Sequence, residues 1–141
     1  MRERGYGETA VADEHLSEAE REQSIVISDP TRLGNPIIFV SDAFERQTGY
    51  PPHEALGHNC RFLQGPDTDP DAIQAIREAL GAGEDLTVDI LNYKKDGTPF
   101  WNRLRLRALR DERGRIVYFA GAQNPVPTED VLPKPVRAIL D

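Results

Sequence analysis

Cysteine is nearly absent from this sequence, since only Cys60 among 141 residues carries a thiol. One cysteine excludes an internal disulfide and a zinc site built from several cysteines. The sequence also lacks any apolar run near the roughly 20 residues that cross a bilayer. Its first residues, Met1 to Arg4, lack the apolar core of a signal peptide. We therefore expect a reduced, cytoplasmic protein without a membrane partner.

Basic residues are in the minority, with 17 Lys and Arg against 24 Asp and Glu, for a formal net charge of −7. A compact acidic domain is a poor candidate for nonspecific binding to nucleic acid or to an anionic membrane. The length favours one domain that can bury a core and enclose a small ligand. We expect no nucleic-acid partner.

Short strands and short helices follow one another along the chain. The sequence predicts an α+β domain with one five-stranded antiparallel sheet. Its parts are an N-terminal extension with a short helix (1–23), a core (24–125) and a proline-rich tail without a long helix (126–141). The predicted helices cover 12–22, 43–48, 53–56, a turn at 59–62, and 70–80 up to Gly81; the strands cover 24–28, 37–40, 86–93, 99–109 and 115–124, and at most a short helix covers 136–140.

The stretch from Gly57 to Pro66 concentrates reactive and polar side chains around Cys60. It places Asn59, Arg61 and Gln64 close to the thiol in sequence. Cys60 could be a nucleophile, a metal ligand or a small buried hydrophobe. A catalytic pair with His58 is disfavoured, because residues two apart on a helical turn do not face each other and no third group orients them. We expect no metal site.

Three amides occupy the apolar faces of the last three strands. Alternation places Asn92, Asn102 and Gln123 on the inward register. A buried amide without partners costs about 1–3 kcal/mol. The amides could bond to each other or to water, or reach solvent at strand ends. Three in consecutive strands favour a flat ligand with donors and acceptors on its edge, and Gly121 on the same face permits close approach.

Two arginines, Arg61 and Arg77, could add positive charge to such a site. Any single arginine is more often a solvated surface residue. Together with the amides, they suggest a ligand with an anionic tail. The residues indicate a planar polar ring with a phosphate. A nucleotide-like cofactor fits, and the pattern leaves its identity open.

Three motifs resemble the LOV family of blue-light photoreceptors, which are flavin-binding members of the PAS superfamily. They are Asn59-Cys60-Arg61-Phe62-Leu63-Gln64-Gly65-Pro66, Leu91-Asn92-Tyr93-Lys94-Lys95-Asp96-Gly97, and Phe119-Ala120-Gly121-Ala122-Gln123. The resemblance spans about residues 24–124. It implies a PAS fold in which short helices cover one sheet face around a flavin pocket, and a sensory function without substrate turnover.

The resemblance also implies a role for each matching residue. Cys60 is implied as the photoactive cysteine, which forms a reversible light-induced adduct with flavin carbon 4a, and Gln123 lies near flavin N5. Asn92 and Asn102 bond the pyrimidine edge, and Arg61 and Arg77 bind the phosphate. The expected cofactor is FMN, with FAD less favoured. Asn59 and Gln64 match the ribityl side, Gly121 allows close approach, and the ring would pack against Val26, Ile37, Leu104 and Phe119.

The output of such a sensor is less defined by the sequence. The chain could be a stand-alone short LOV protein or the sensor part of a longer protein, such as a histidine kinase. We expect a homodimer through the outer sheet face and the 12–22 helix, because this face carries Trp101 and several tyrosines. The alternative function is a PAS sensor that binds flavin or another small ligand without a photocycle. The downstream effector is unknown.

Overall fold

The computed structural model describes residues 5–133 and 135–137. Its helices and strands are short, and one-turn 3-10 helices occur at Cys60–Leu63 and Thr128–Asp130. The elements in chain order are β1 (Tyr6–Gly7), α1 (Thr9–His15), α2 (Glu18–Glu22), β2 (Ser24–Ser28), β3 (Ile37–Val40), α3 (Asp42–Thr48), α4 (Pro52–Ala55), α5 (Pro70–Ala82), β4 (Leu86–Tyr93), β5 (Pro99–Arg110), β6 (Ile116–Pro125) and β7 (Val136–Arg137).

One antiparallel sheet organises the described chain, in the order β1-β3-β2-β6-β5-β4-β7. The five strands predicted from the sequence form its centre, which confirms the α+β class. The prediction of five strands was incomplete, because β1 and β7 each add two residues at an edge. These edge strands are too short to leave a periodic pattern in the sequence.

The two faces of the sheet carry different cores. On the inner face, α3, α4 and α5 cover apolar side chains of the strands such as Val26, Val40 and Val88. On the outer face, Ala12 and Leu16 pack with strand residues including Ile25 and Ile27. Alternation along β2 separates the two sets. The N-terminal helices therefore cover part of the outer face, as the acidic 12–22 segment suggested.

The predicted 12–22 helix is wrong in two respects, because the helical segment begins at Thr9 and is divided into two helices. Leu16 is extended, with φ −112° and ψ 138°. Ser17 then begins α2: its side chain accepts from the Glu20 backbone N–H, and the Glu20 carboxylate accepts from the Ser17 N–H. This reciprocal cap stabilises a new helix start directly after the break.

Helix α5 begins where the sequence predicts, since Asp69 Oδ1 accepts from the Asp71 N–H at 2.9 Å. The predicted end is wrong by two residues, because the helix was expected to stop at Leu80, before Gly81, and it runs to Ala82. Gly83 adopts the left-handed conformation, with φ +67°, that ends many helices. Gly81 stays inside the helix, because a glycine ends a helix only where a left-handed residue is needed.

The C-terminal tail lies along the outer side of the sheet. Val136 and Arg137 pair with β4, so the predicted short helix at 136–140 is wrong for these two residues, and 138–140 lie outside the described residues. Ahead of β7, a hydrogen bond holds the tail to β4: the Leu132 backbone N–H donates to Asp89 Oδ2 at 2.7 Å. No helix within the described ranges is long and apolar enough to span a membrane.

Candidate functional site

A cleft opens between the inner face of the sheet, the 3-10 turn at Cys60 and helix α5. It contains about 950 Å³ of empty space, a volume that includes its open mouth toward solvent. Of the thirteen site residues predicted from the sequence, eleven line this cleft: Val26, Asn59, Cys60, Arg61, Gln64, Arg77, Asn92, Leu104, Phe119, Gly121 and Gln123.

The remaining two predicted residues lie behind the wall. Ile37 is 1% exposed and packs in the apolar cluster that includes Val26. Asn102 is fully buried. Neither residue lines the cleft in this structure. Asn102 bonds the cleft amides Asn92 and Gln123, and its contact with the ligand stays a prediction.

The three amides form one hydrogen-bonded network. Asn102 Nδ2 donates to Asn92 Oδ1 at 2.9 Å and to Gln123 Oε1 at 2.5 Å. Asn102 Oδ1 accepts from the Asn124 backbone N–H at 3.0 Å, and Gln123 Nε2 donates to the Gly121 carbonyl at 3.2 Å. The amides therefore bond to one another, as the alternative to a bound ligand had predicted. Asn92 and Gln123 nevertheless form part of the cleft wall.

Cys60 begins a 3-10 turn that Asn59 fixes from both sides. Asn59 Oδ1 accepts from the Arg61 N–H at 2.9 Å, while Asn59 Nδ2 donates to the Gly34 carbonyl at 2.8 Å. Burial raises the pKa of the Cys60 thiol to about 12. Because burial disfavours the charged form, the thiol stays protonated at neutral pH. A thiolate nucleophile or metal ligand is therefore disfavoured.

No base or metal cluster accompanies this thiol among residues 5–133 and 135–137. His58 is exposed, whereas Cys60 packs against the apolar cluster that includes Val26 and Leu63. The same residues contain no group of three His, Cys, Asp or Glu that could hold a metal ion. The site is built for a neutral thiol in apolar surroundings.

Two arginine side chains place positive charge at the mouth of the cleft. Arg61, on the 3-10 turn, and Arg77, on α5, are both exposed and both line the cleft. The guanidinium groups suit the oxygens of a phosphate, which they can contact bidentately. An anionic tail would therefore remain near solvent while an apolar ring lies deeper.

Several cleft residues were missed by the sequence analysis. Helix residues Ile73, Ile76 and Leu80 line it, although their spacing had only indicated an apolar face, and periodicity cannot separate core packing from ligand contact. Asn35 also lines it, with φ +49° and a buried Oδ1 that has no partner. Its place within the stretch that resembles the LOV family, next to Gly34 in a turn, was the available signal.

The donor set and shape fit a flavin. Gly121 leaves a shelf on the sheet: a Cβ added there would lie 3.4 Å from Leu104 Cδ1 and 3.6 Å from Val26 Cγ2. Such a methyl group would occupy the space above the sheet where a flat ring can approach. The apolar walls suit a planar ring, and the amides of Asn92 and Gln123 suit its polar edge. The cationic mouth suits a phosphate.

Comparison with known proteins agrees with this geometry. A PAS domain family model matches residues 22–124. The chain resembles the dark structure of the blue-light photoreceptor Aureochrome1 LOV, with a TM-score of 0.75 and 45% identity over 79% of this chain and 80% of that one. The chain belongs to the LOV family of PAS domains. The LOV resemblance inferred from the sequence is thereby confirmed, and with it a flavin-binding sensor domain.

Full-length relatives of this LOV domain are much longer. Phototropin-2 of Oryza sativa subsp. japonica is 48% identical over 102 residues, which are 72% of this chain and 11% of that protein. A blue-light-activated histidine kinase of Brucella anthropi is 47% identical over 105 residues, or 74% of this chain and 21% of the kinase. The LOV chain thus spans about a tenth to a fifth of these two relatives.

Proposed function

We propose that this LOV domain senses blue light through a reversible covalent bond between Cys60 and bound FMN. The observation that carries the proposal is the placement of a partly buried, neutral thiol in the same cleft as Asn92, Gln123, Arg61 and Arg77. A bound flavin would supply blue-light absorption and a ring C=N bond across which the Cys60 S–H can add in the excited state, with sulfur going to carbon and hydrogen to nitrogen.

Cys60 serves as the thiol donor without a catalytic base. Its raised pKa keeps the hydrogen on sulfur until light acts, so the dark state is chemically quiet. The Asn59 cap fixes the turn and therefore the position of the Cys60 Cβ relative to the cleft. This arrangement suits a switch, which needs one poised group rather than a turnover site.

Gln123 links the cleft to the sheet. Its amide can donate through Nε2 and accept through Oε1, so a change of protonation on a ligand atom beside it can reverse its orientation. In the present arrangement Oε1 accepts from Asn102 and Nε2 donates to Gly121. A reversed amide would turn Nε2 toward the Asn102 donor and Oε1 toward the Gly121 carbonyl, so both hydrogen bonds would be lost. This loss gives β5 and β6 a means to register the state of the cleft.

The amides and arginines divide the cofactor between them. Asn92, held by Asn102, bonds the polar edge of the ring, while Asn59 and Gln64 contact the ribityl chain. Arg61 and Arg77 bind the terminal phosphate. The cationic groups lie on two elements at one mouth, which favours the single phosphate of FMN over FAD.

The decisive experiment is a visible absorption spectrum of the purified protein before and after a blue flash. A structured flavin band should bleach and recover in the dark, and mass spectrometry of the denatured pigment should identify FMN. Cys60→Ala should keep the band and lose the bleaching. The matched control is the double variant Cys60→Ala with Ala55→Cys. It restores a thiol at a buried position that does not line the cleft.

Two results would contradict the proposal. A flavin band that never bleaches in the natural sequence would leave the alternative function, a PAS sensor that binds flavin without a photocycle. A Cys60→Ala variant that still forms the same bleached species would remove Cys60 from its role.

The domain acts as a sensor with no turnover of its own, in the cytoplasm, and passes its signal to an effector such as a histidine kinase when joined to one. Residues 24–125 are the light-sensing unit, and 1–23 and 126–141 are the segments that respond to it. Expression of 24–125 alone should yield a flavin band that bleaches. A colourless or unfolded 24–125 would show that the flanking segments belong to the unit.

We also propose a homodimer through the outer sheet face. A groove there lies between α2 and β7, and Val136 at its border is 50% exposed. Arg107 on its floor bonds Glu20 of α2 at 2.6 Å, so the helix position and the groove are coupled. Light scattering after size-exclusion chromatography should show a dimer in the dark or in the light, and a strict monomer in both would reject it.

A further inference from the structure

A second pocket lies directly behind Gln123. It is formed where α3 meets the ends of β2 and β6, and Gln123 lines both this pocket and the flavin cleft. Its other polar lining residues include Ser24, Gln47 and Asn124. None of these three was identified as a site residue from the sequence, and the proposed photochemistry does not use them.

This pocket collects most of the unpaired buried polar atoms of the described chain. In residues 5–133 and 135–137, five buried side-chain nitrogen or oxygen atoms have no hydrogen-bond partner. Four of them are Ser24 Oγ, Gln47 Nε2, Gln47 Oε1 and Asn124 Nδ2. Ser24 as a whole is only 8% exposed. Because buried polar groups are almost always paired, such a cluster indicates a partner that the polypeptide does not supply.

The chemistry of these atoms defines the partner. Gln47 offers both a donor and an acceptor, Asn124 offers a donor, and the Ser24 hydroxyl can act either way. Arg46 and Lys94 also line the pocket and would attract an anion. A simple anion, however, cannot donate a hydrogen bond to Gln47 Oε1. Water satisfies every one of these atoms, and polar pockets of this kind hold ordered water.

We propose that this pocket holds a cluster of ordered water molecules through which water reaches the Gln123 side chain. Gln123 then forms the partition between the hydrated pocket and the flavin cleft. Rotation of its amide would open a path from solvent to the ring. This last consequence rests on the proposed photosensory function, whereas the hydration of the pocket does not.

The test measures water directly, in the dark. In a nuclear magnetic resonance experiment on the full chain, the side-chain amide protons of Gln47 and Asn124 should show Overhauser contacts to long-lived water. Contacts of these amides only with each other, and none with water, would overturn the proposal. The measurement needs no photocycle, so its failure is distinct from failure of the bleaching experiment.

A variant series tests the access route. Gln47→Leu removes two water-binding atoms at similar size, and the exchange of the Gln123 side-chain amide with deuterated solvent should become roughly three- to tenfold slower. Asn124→Leu is the second variant and should act in the same direction if the first fails to fold. Glu112→Leu, at the exposed β5–β6 turn, is the control and should leave exchange unchanged. Unchanged exchange in a folded Gln47→Leu or Asn124→Leu protein would reject the route.

Discussion

Asn102 Nδ2 donates to Asn92 Oδ1 at 2.9 Å, so a buried amide on β5 fixes the orientation of a cleft amide on β4. The same nitrogen donates to Gln123, and Asn102 Oδ1 accepts from the Asn124 N–H. Removing this side chain leaves three polar groups without their partner. Asn102→Leu should therefore lower the free energy of unfolding by about 2–3 kcal/mol.

Urea denaturation of the flavin-free protein measures this loss, because no ligand then contributes. Glu112→Leu is the control and should change stability by no more than about 0.5 kcal/mol. Flavin affinity of Asn102→Leu should also fall, since Asn92 and Gln123 lose their fixed orientation. A variant with native stability would mean that the three amides do not form the observed network in solution.

Gly121 provides a test of the cleft that does not disturb the fold. A Cβ at this position meets no atom closer than 3.4 Å, so Gly121→Ala should keep the stability of the flavin-free protein. The added methyl group would project into the space of the ring, and flavin retention should drop sharply. Gly81→Ala, where nothing lies within 4 Å of the added Cβ, is the matched control. Normal flavin content in Gly121→Ala would show that the ring lies elsewhere.

Much of this site could be predicted from the sequence, because strand alternation is a strong local rule. Asn92 and Gln123 reach the cleft wall as the alternation of β4 and β6 requires. Alternation cannot measure depth, however: Asn102 also faces inward and is fully buried, and its contact with the ligand stays a prediction. The same limit hid Gln47, whose position depends on how α3 packs against β2.

Local chemistry likewise predicted some helix ends and not others. Asp69 followed by Pro70 starts α5 as expected, because both residues act within one turn. Ser41 directly precedes α3, where a serine commonly caps a helix, yet its Oγ accepts from the Ile25 N–H at 2.9 Å and donates to the Gln23 carbonyl at 2.7 Å. The hydroxyl therefore bonds residues that are distant in sequence and does not cap the helix. A local sequence pattern cannot predict which of these two interactions forms.

Arg61 and Arg77 should discriminate between flavins by their phosphate. Arg61→Ala and Arg77→Ala should each weaken FMN binding about tenfold or more, as expected for loss of a charge-assisted contact of 1.5–3 kcal/mol or so. Binding of riboflavin, which has no phosphate, should not change. Arg113→Ala, in the exposed β5–β6 turn, is the control. Equal losses for FMN and riboflavin would assign the arginines a structural role instead.

Burial of Cys60 predicts a flat pH dependence of the light reaction. With a pKa of about 12, the thiol is protonated throughout the range from about pH 6 to 9. The yield of bleaching per flash should therefore stay constant across this range, measured in one flash series on the natural protein. A reaction of the thiolate would instead gain about tenfold per pH unit, and such a rise would contradict the neutral-thiol assignment.

The ion pair of Asp89 and Arg103 should make tail docking sensitive to acid. Arg103 donates to both Asp89 oxygens at 2.9 Å, and the same carboxylate accepts from the Leu132 N–H in the tail. Burial alone would raise the pKa of Asp89, but these hydrogen bonds and the charges of Arg103 and Arg105 hold it below the usual value. A lowered folded-state pKa means that the stabilisation is complete above the unfolded value, about 3.9 for aspartate, and is lost as pH falls through the lower folded value.

Hydrogen exchange of the Leu132 amide measures this docking site by site. We expect strong protection near neutral pH, and a loss of protection relative to the strands of the sheet once the pH falls below about 4. Asp89→Asn should release the tail at neutral pH while the flavin band remains, because Asp89 does not line the cleft. Asp111→Asn is the matched control, since its carboxylate contacts only the nearby turn through Arg113 and Arg115. Full protection of Leu132 in Asp89→Asn would show that apolar contacts, and not the ion pair, hold the tail on the sheet.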